Sequence, residues 1–116
     1  MHAVKPVTPP AGSGHVYEYR TYRCKVGMAK AWSEKLRDVL PAREKYSKNV
    51  AIWLTEAGQP NEVSHLWAYD SLNQRAEARA ATMKDPDWRA FLKNGPEMLE
   101  EMHSTVLVPW AHSPMQ

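Results

Sequence analysis

The polar and apolar positions of this chain change period several times. From His15 to Cys24, "HVYEYRTYRC" is rich in tyrosine and reads as a first strand. "KVGMAKAWSEKLRDVL" then moves to helical spacing, with Ala29, Trp32, Leu36, Val39 and Leu40 on one face. Pro41 is expected to end or kink that helix, or to open a further short turn. "NVAIWLTE", Asn49 to Glu56, forms a second strand, and "AGQPN" has the composition of a turn. "NEVSHLWAYDS", Asn61 to Ser71, alternates as a third strand, so the second and third strands make an antiparallel hairpin. "SLNQRAEARAATMKD" opens on a capping box, Ser71 with Gln74, and Leu72, Ala76, Ala80 and Met83 are its expected buried face. "DPDWRAFLKNG" restarts a helix capped by Asp85, with Pro86 at its first position and Gly95 at its end. "PEMLEEM" is expected to continue as helix, and "HSTVLVP", His103 to Pro109, as a short last strand.

The order is β-α-β-β-α-β, that of an α+β, ferredoxin-like fold with helices on one face of a four-stranded antiparallel sheet. Alternation divides each strand into two sets. Ile52 and Leu54, Leu66 and Ala68, and Val106 and Val108 are aliphatic and suit a helix-packed core, with Tyr17 and Tyr19 beside them. The opposing sets join large rings to hydrogen-bonding groups: Glu18, Arg20 and Tyr22; Ala51, Trp53 and Thr55; His65, Trp67 and Tyr69; His103, Thr105 and Leu107. That mixture is the composition of a pocket or an interface. On an open sheet, Trp53, Trp67 and Tyr69 would form a larger apolar patch than monomers usually expose. A second copy packed sheet to sheet would cover it and enclose a lined cavity, so a homodimer, or a higher homo-oligomer, is expected.

Composition narrows the partners. The 116 residues fit one domain, expected over 15–116, behind a Pro- and Gly-rich leader over 1–14 that reads as flexible. A net charge of +2 does not announce a polyanion. The third strand has aromatics but lacks the basic-glycine lead of RNA-binding sheets, so no nucleic-acid partner is expected. One cysteine, Cys24, fits a reducing compartment, most simply the cytoplasm. No apolar run reaches the roughly 20 residues of a membrane span. The five histidines lack paired helical spacing and no phosphate-binding glycine loop is present, so neither a metal nor a cofactor is expected.

His65 is the leading candidate for chemistry, as acid, base or ligand-orienting group, with Arg20 and Tyr22 polarising the ligand. Glu18, Trp53, Trp67, Tyr69 and His103 complete the expected ligand-binding set. The bland alternatives are a satisfied core histidine, a Glu18–Arg20 ion pair fixing dimer register, and rings that fill the dimer core. Trp88 is expected to pack its helix on the sheet, Arg75 and Arg79 to lie at a solvated edge, and Met83, Met98 and Met102 to fill core.

Several fragments in order resemble the NIPSNAP family. They are Tyr17, Glu18, Arg20, Thr21 and Tyr22 on the first strand, then Gly58, Asn61, His65 and Trp67. Arg75 and Arg79 follow on a helix, then Asp85, Pro86 and Trp88. The likeness runs from about Val16 to the "HSP" near the end, and departs at Cys24, Val26 and Ser64. It implies a dimeric α/β barrel without naming a reaction. Two functions fit: a homodimer whose cavity binds a small, partly aromatic or carbonyl-bearing molecule, with cofactor-free oxygenase or isomerase-type chemistry as an extension; or a non-catalytic oligomeric interaction protein whose barrel is packed shut.

Overall fold

The computed structural model describes residues 2–55, 61–94, 96–111 and 113. Its sheet has the order β1-β3-β4-β2-β5, antiparallel throughout. The strands are β1 (His2–Ala3), β2 (Val16–Cys24), β3 (Lys48–Leu54), β4 (Glu62–Tyr69) and β5 (Leu99–Leu107). The helices are α1 (Ala29–Arg43), α2 (Leu72–Thr82) and α3 (Pro86–Asn94), with a 3₁₀ turn at Pro96–Met98. Apart from β1 and the division between α2 and α3, this is the expected ferredoxin-like order. The expected turn residues 57–60 and Gly95 lie outside the described residues.

Local chemistry sets most boundaries. The Ser71 hydroxyl accepts from the Gln74 backbone N–H at 3.0 Å, and the Gln74 side chain accepts from the Asp70 N–H at 3.2 Å. This is a capping box shifted back by one residue. Asp85 caps α3 through the N–H groups of Asp87 and Trp88. Pro41 does not end α1, which runs two residues further. In the last turn, proline costs little, since few backbone bonds remain to be broken. The leader begins alongside β3, with His2 opposite Leu54 and the Val4 and Thr8 N–H groups on the Ile52 and Val50 carbonyls.

Two expectations about elements are corrected. Of the helical segment expected over 96–102 only Pro96–Met98 is helical, as the 3₁₀ turn; Leu99–Met102 belong to β5, which pairs along β2 from Cys24↔Leu99 to Tyr17↔Leu107. Ladder hydrogen bonds over nine residues outweigh the helix propensity of Met, Leu and Glu. On α2, Ala78 and Thr82 are the buried residues, whereas Leu72 and Met83 are 57% and 55% exposed. The helix instead turns Arg75 and Arg79 toward a buried carboxylate on the sheet, Glu18, because an unpaired buried charge costs more than an exposed leucine.

Register then fixes the faces, since directly opposed residues point the same way. Tyr22, Val63, Trp67 and Tyr69 join Trp32, Leu36, Leu40, Ile52, Ala78 and Trp88 in the core beneath the helices. Glu18 lies opposite Trp67, and Arg20 opposite His65, so these also face the helices. The expectation is therefore inverted for β2 and β4: Tyr17, Tyr19, Leu66 and Ala68 occupy the other face, and His65, Trp67 and Tyr69 lie inside. The cause is the register of the β3–β4 hairpin, which sets Leu54 opposite Val63 and Ile52 opposite His65; a bulge at Val50 then brings Asn49, opposite Trp67, to the same side. Ile52 and the rings thereby share one side. Trp53 and His103 do lie on the face away from the helices, opposite Ser64 and Thr21.

Candidate functional site

Between the sheet and the helices lies a cavity of about 380 Å³, within the range of small-molecule sites. Its walls come from Tyr22, His65 and Trp67 on the strands, from Trp32 and Leu36 on α1, and from Trp88, Phe91 and Leu92 on α3. Arg20, Arg43 and Arg79 add charge, and Leu99, Glu100, Glu101 and Met102 of β5 form one margin. The cavity is thus within one chain, beneath the helices, and not between two apposed sheets as the sequence suggested.

His65 sits at the centre of the ring cluster. It meets Tyr22 edge-on at 4.7 Å between centroids, Trp32 at 5.8 Å and Trp67 at 5.9 Å. The Trp67 indole N–H donates to His65 Nδ1 at 2.7 Å. That bond makes Nδ1 an acceptor and leaves the ring proton on Nε2. Nε2 is buried and has no hydrogen-bond partner among the described residues. Burial and the charges of Arg20 and Arg43 lower the His65 pKa to about 3, against the opposing influence of Glu18. The imidazole is neutral at physiological pH: a fixed N–H donor rather than a titrating base.

Glu18 is fully buried, and one of its oxygens accepts from Arg20 at 3.2 Å, from Arg75 at 2.5 Å and from the Ser104 hydroxyl at 2.5 Å. Arg79 approaches the other oxygen at 3.8 Å. Burial alone would raise the carboxyl pKa; the hydrogen bonds from Arg75 and Ser104 and the charges of Arg20 and Arg75 outweigh it and bring it down to about 2. Arg20 also donates through Nε to the Tyr22 hydroxyl at 2.8 Å, leaving the phenolic proton free to turn toward a ligand.

Of the residues singled out from sequence, His65, Arg20, Tyr22 and Trp67 come together around the cavity, with Glu18 anchoring Arg20. Tyr69 is buried next to them in the core but does not line the cavity. Trp53 and His103 lie on the opposite face, where His103 is exposed and 3.7 Å from Glu101. Arg43 was missed. Its guanidinium lies between two indoles, 4.6 Å from the Trp67 centroid and 4.5 Å from that of Trp88. Its signal was legible, because Trp32, Leu36, Leu40 and position 43 continue a single helical stripe. Cys24 is buried and its thiol is pushed up to about 11, which makes it a packing residue. No metal-binding group of histidine, cysteine or carboxylate side chains occurs among the described residues, and no helix there is long and apolar enough to cross a membrane.

The NIPSNAP family model matches residues 17–114. Human NipSnap homolog 3B is 34% identical over 107 residues, covering 89% of this chain and 43% of that protein. The chain thus spans less than half the length of the curated relatives it matches. A crystal structure of an uncharacterised NIPSNAP domain protein from Burkholderia xenovorans is 33% identical, with a TM-score of 0.80 over 85% of this chain and 98% of that one. A protein from Nitrosomonas europaea described as a candidate antibiotic biosynthesis monooxygenase superposes with a TM-score of 0.65 over 92% of this chain and 99% of that one. At 13% identity, that likeness is one of fold alone.

Proposed function

The chain belongs to the NIPSNAP family, and from that premise we propose that its sheet–helix cavity binds a small aromatic molecule bearing a carbonyl group. One observation carries this reading: a buried imidazole N–H without a partner among the described residues, in a cavity walled by three tryptophans. A buried donor left unpaired costs about 1–3 kcal/mol, so a ligand oxygen that accepts from it recovers a real penalty. The indoles of Trp32, Trp67 and Trp88 supply stacking surfaces for the ring. The Tyr22 hydroxyl is a second donor beside the same imidazole. Where both neutral donors reach the carbonyl oxygen, they also stabilise charge that develops there on enolisation, which is the contribution these residues would make to oxygenase or isomerase-type chemistry.

The chain is further proposed to act as a homodimer through the face of the sheet away from the helices. Tyr19 and Trp53 are half-buried there and Leu107 is exposed, around a buried cluster of Tyr17, Val50, Ala51, Leu66 and Ala68 to which no helical residue belongs.

Quenching of tryptophan fluorescence by 2-acetylnaphthalene tests the cavity directly. Saturable binding is expected, weakened about fivefold in His65→Ala, the worth of one hydrogen bond of ~1 kcal/mol. An absence of saturable binding, or equal affinity in a folded His65→Ala protein, would overturn the reading.

A further inference from the structure

We infer that the ligand of this cavity is an anion, specifically an aromatic carboxylate, and that Arg43 is the residue that selects it. The inference rests on the proposed cavity reading and names its ligand class. It starts from an imbalance of charge. Four guanidinium groups, Arg20, Arg43, Arg75 and Arg79, gather around a single buried carboxylate, Glu18. Three of them reach it, Arg75 at 2.5 Å, Arg20 at 3.2 Å and Arg79 at 3.8 Å. Arg43 does not. Among the described residues no carboxylate lies within ion-pair distance of Arg43, although its side chain is buried and lines the cavity.

Other charges nearby do not redress this. Glu100 and Glu101 stand at the cavity margin, half-exposed, and turn to Arg23 at 3.8 and 3.4 Å. Burial and the charges of Arg20 and Arg79 work against the Arg43 charge, and the neighbouring Tyr69 hydroxyl eases it only in part. The buried Arg43 Nε has no hydrogen-bond partner among the described residues. Held between the faces of Trp67 and Trp88, the guanidinium has attraction from two ring quadrupoles, yet no carboxylate among the described residues neutralises its charge.

A carboxylate supplies what is missing. One oxygen accepts from Arg43 and the other from the His65 Nε2–H, both of which lie against Trp67. The apolar walls require that the anion be attached to a ring system, which sets it apart from free phosphate or another strongly hydrated ion. Guanidinium is the suitable cation here: it stacks on indole and stays charged when buried, where a lysine would lose its proton.

Two probes of nearly equal shape, 2-naphthoate and 2-acetylnaphthalene, isolate the charge by calorimetric titration. The carboxylate is expected to bind at least tenfold more tightly than the ketone. In Arg43→Gln that ratio should fall to about one, judged on protein whose circular dichroism matches the parent. Because Arg43 is packed between two rings, Arg79→Gln serves as a second variant at a half-exposed position, expected to lower the ratio by severalfold. Equal binding of the two probes would overturn the anion inference and leave the cavity reading standing. A preference for naphthoate that survives both substitutions would also overturn it. Failure of both probes to bind would overturn both readings together.

Discussion

At the scale of single residues, the site turns on how His65 is held. The Trp67 N–H occupies Nδ1 at 2.7 Å, so protonating the ring would break that bond and bury a charge beside Arg20 and Arg43. The consequence for stability has a definite sign. The unfolded histidine takes up a proton near pH 6.5 and the folded one only near 3, so between these values the unfolded state binds more protons. Stability is therefore complete above pH 6.5 and lost as the pH falls, at a slope approaching about 1.4 kcal/mol per pH unit, the value for one proton. Glu18 acts in the same direction but lower, between its unfolded value of 4.5 and about 2. Denaturant titrations at pH 7, 6 and 5 should show this decline in the parent protein and a flat profile in His65→Gln; a parent profile already flat over that range would contradict the buried neutral imidazole. From sequence, His65 was identifiable as a ring-flanked histidine on a strand. Its tautomer was not, because that depends on a neighbour two residues away being turned to donate.

At the scale of elements, turn and cap chemistry was the most legible part of the chain. Ser71, Gln74 and Asp85 announce their helix starts by short-range rules, and the structure places them accordingly. Ser71→Ala should remove the bond to the Gln74 N–H and lower stability by about 1 kcal/mol. Differential scanning calorimetry would register it as a reduced Tm with α2 and the fold retained; an unchanged Tm would show the cap to be idle. The buried face of α2 was less legible, for a reason of the same physical kind. Counting apolar residues selects Leu72, Ala76, Ala80 and Met83, but the helix faces a sheet that holds Glu18, and the pairing of Arg75 and Arg79 with it decides the rotation. Likewise Leu99–Met102 have helix-forming side chains, yet their backbone completes the ladder on β2. Where a partner segment decides, local pattern cannot.

At the scale of the whole molecule, alternation sorted side chains into two sets correctly, and the register of the β3–β4 hairpin, Ile52 opposite His65, then reversed which set of β2 and β4 lies beneath the helices. The reversal separates two properties that an inter-sheet cavity would have tied together. The cavity proposed for a ligand is on the helix side, walled by residues of one chain, while the surface proposed for dimerisation is on the other, where Tyr19 and Trp53 belong to a cluster without helical residues. A charge placed on that second surface should break the dimer and spare the cavity. Leu107, 44% exposed and opposite Tyr17, is suited to this because its replacement disturbs little within the folded chain. Sedimentation velocity should give the parent twice the chain mass of 13.3 kDa, and Leu107→Glu that of the single chain, since an unpaired carboxylate buried between copies costs several kcal/mol. The affinity for 2-acetylnaphthalene should change by no more than about twofold, a few tenths of a kcal/mol. A parent protein that sediments as a single chain at micromolar concentration would remove the dimer. Loss of ligand binding together with the dimer would mean instead that the β5 margin of the cavity is completed by the second copy.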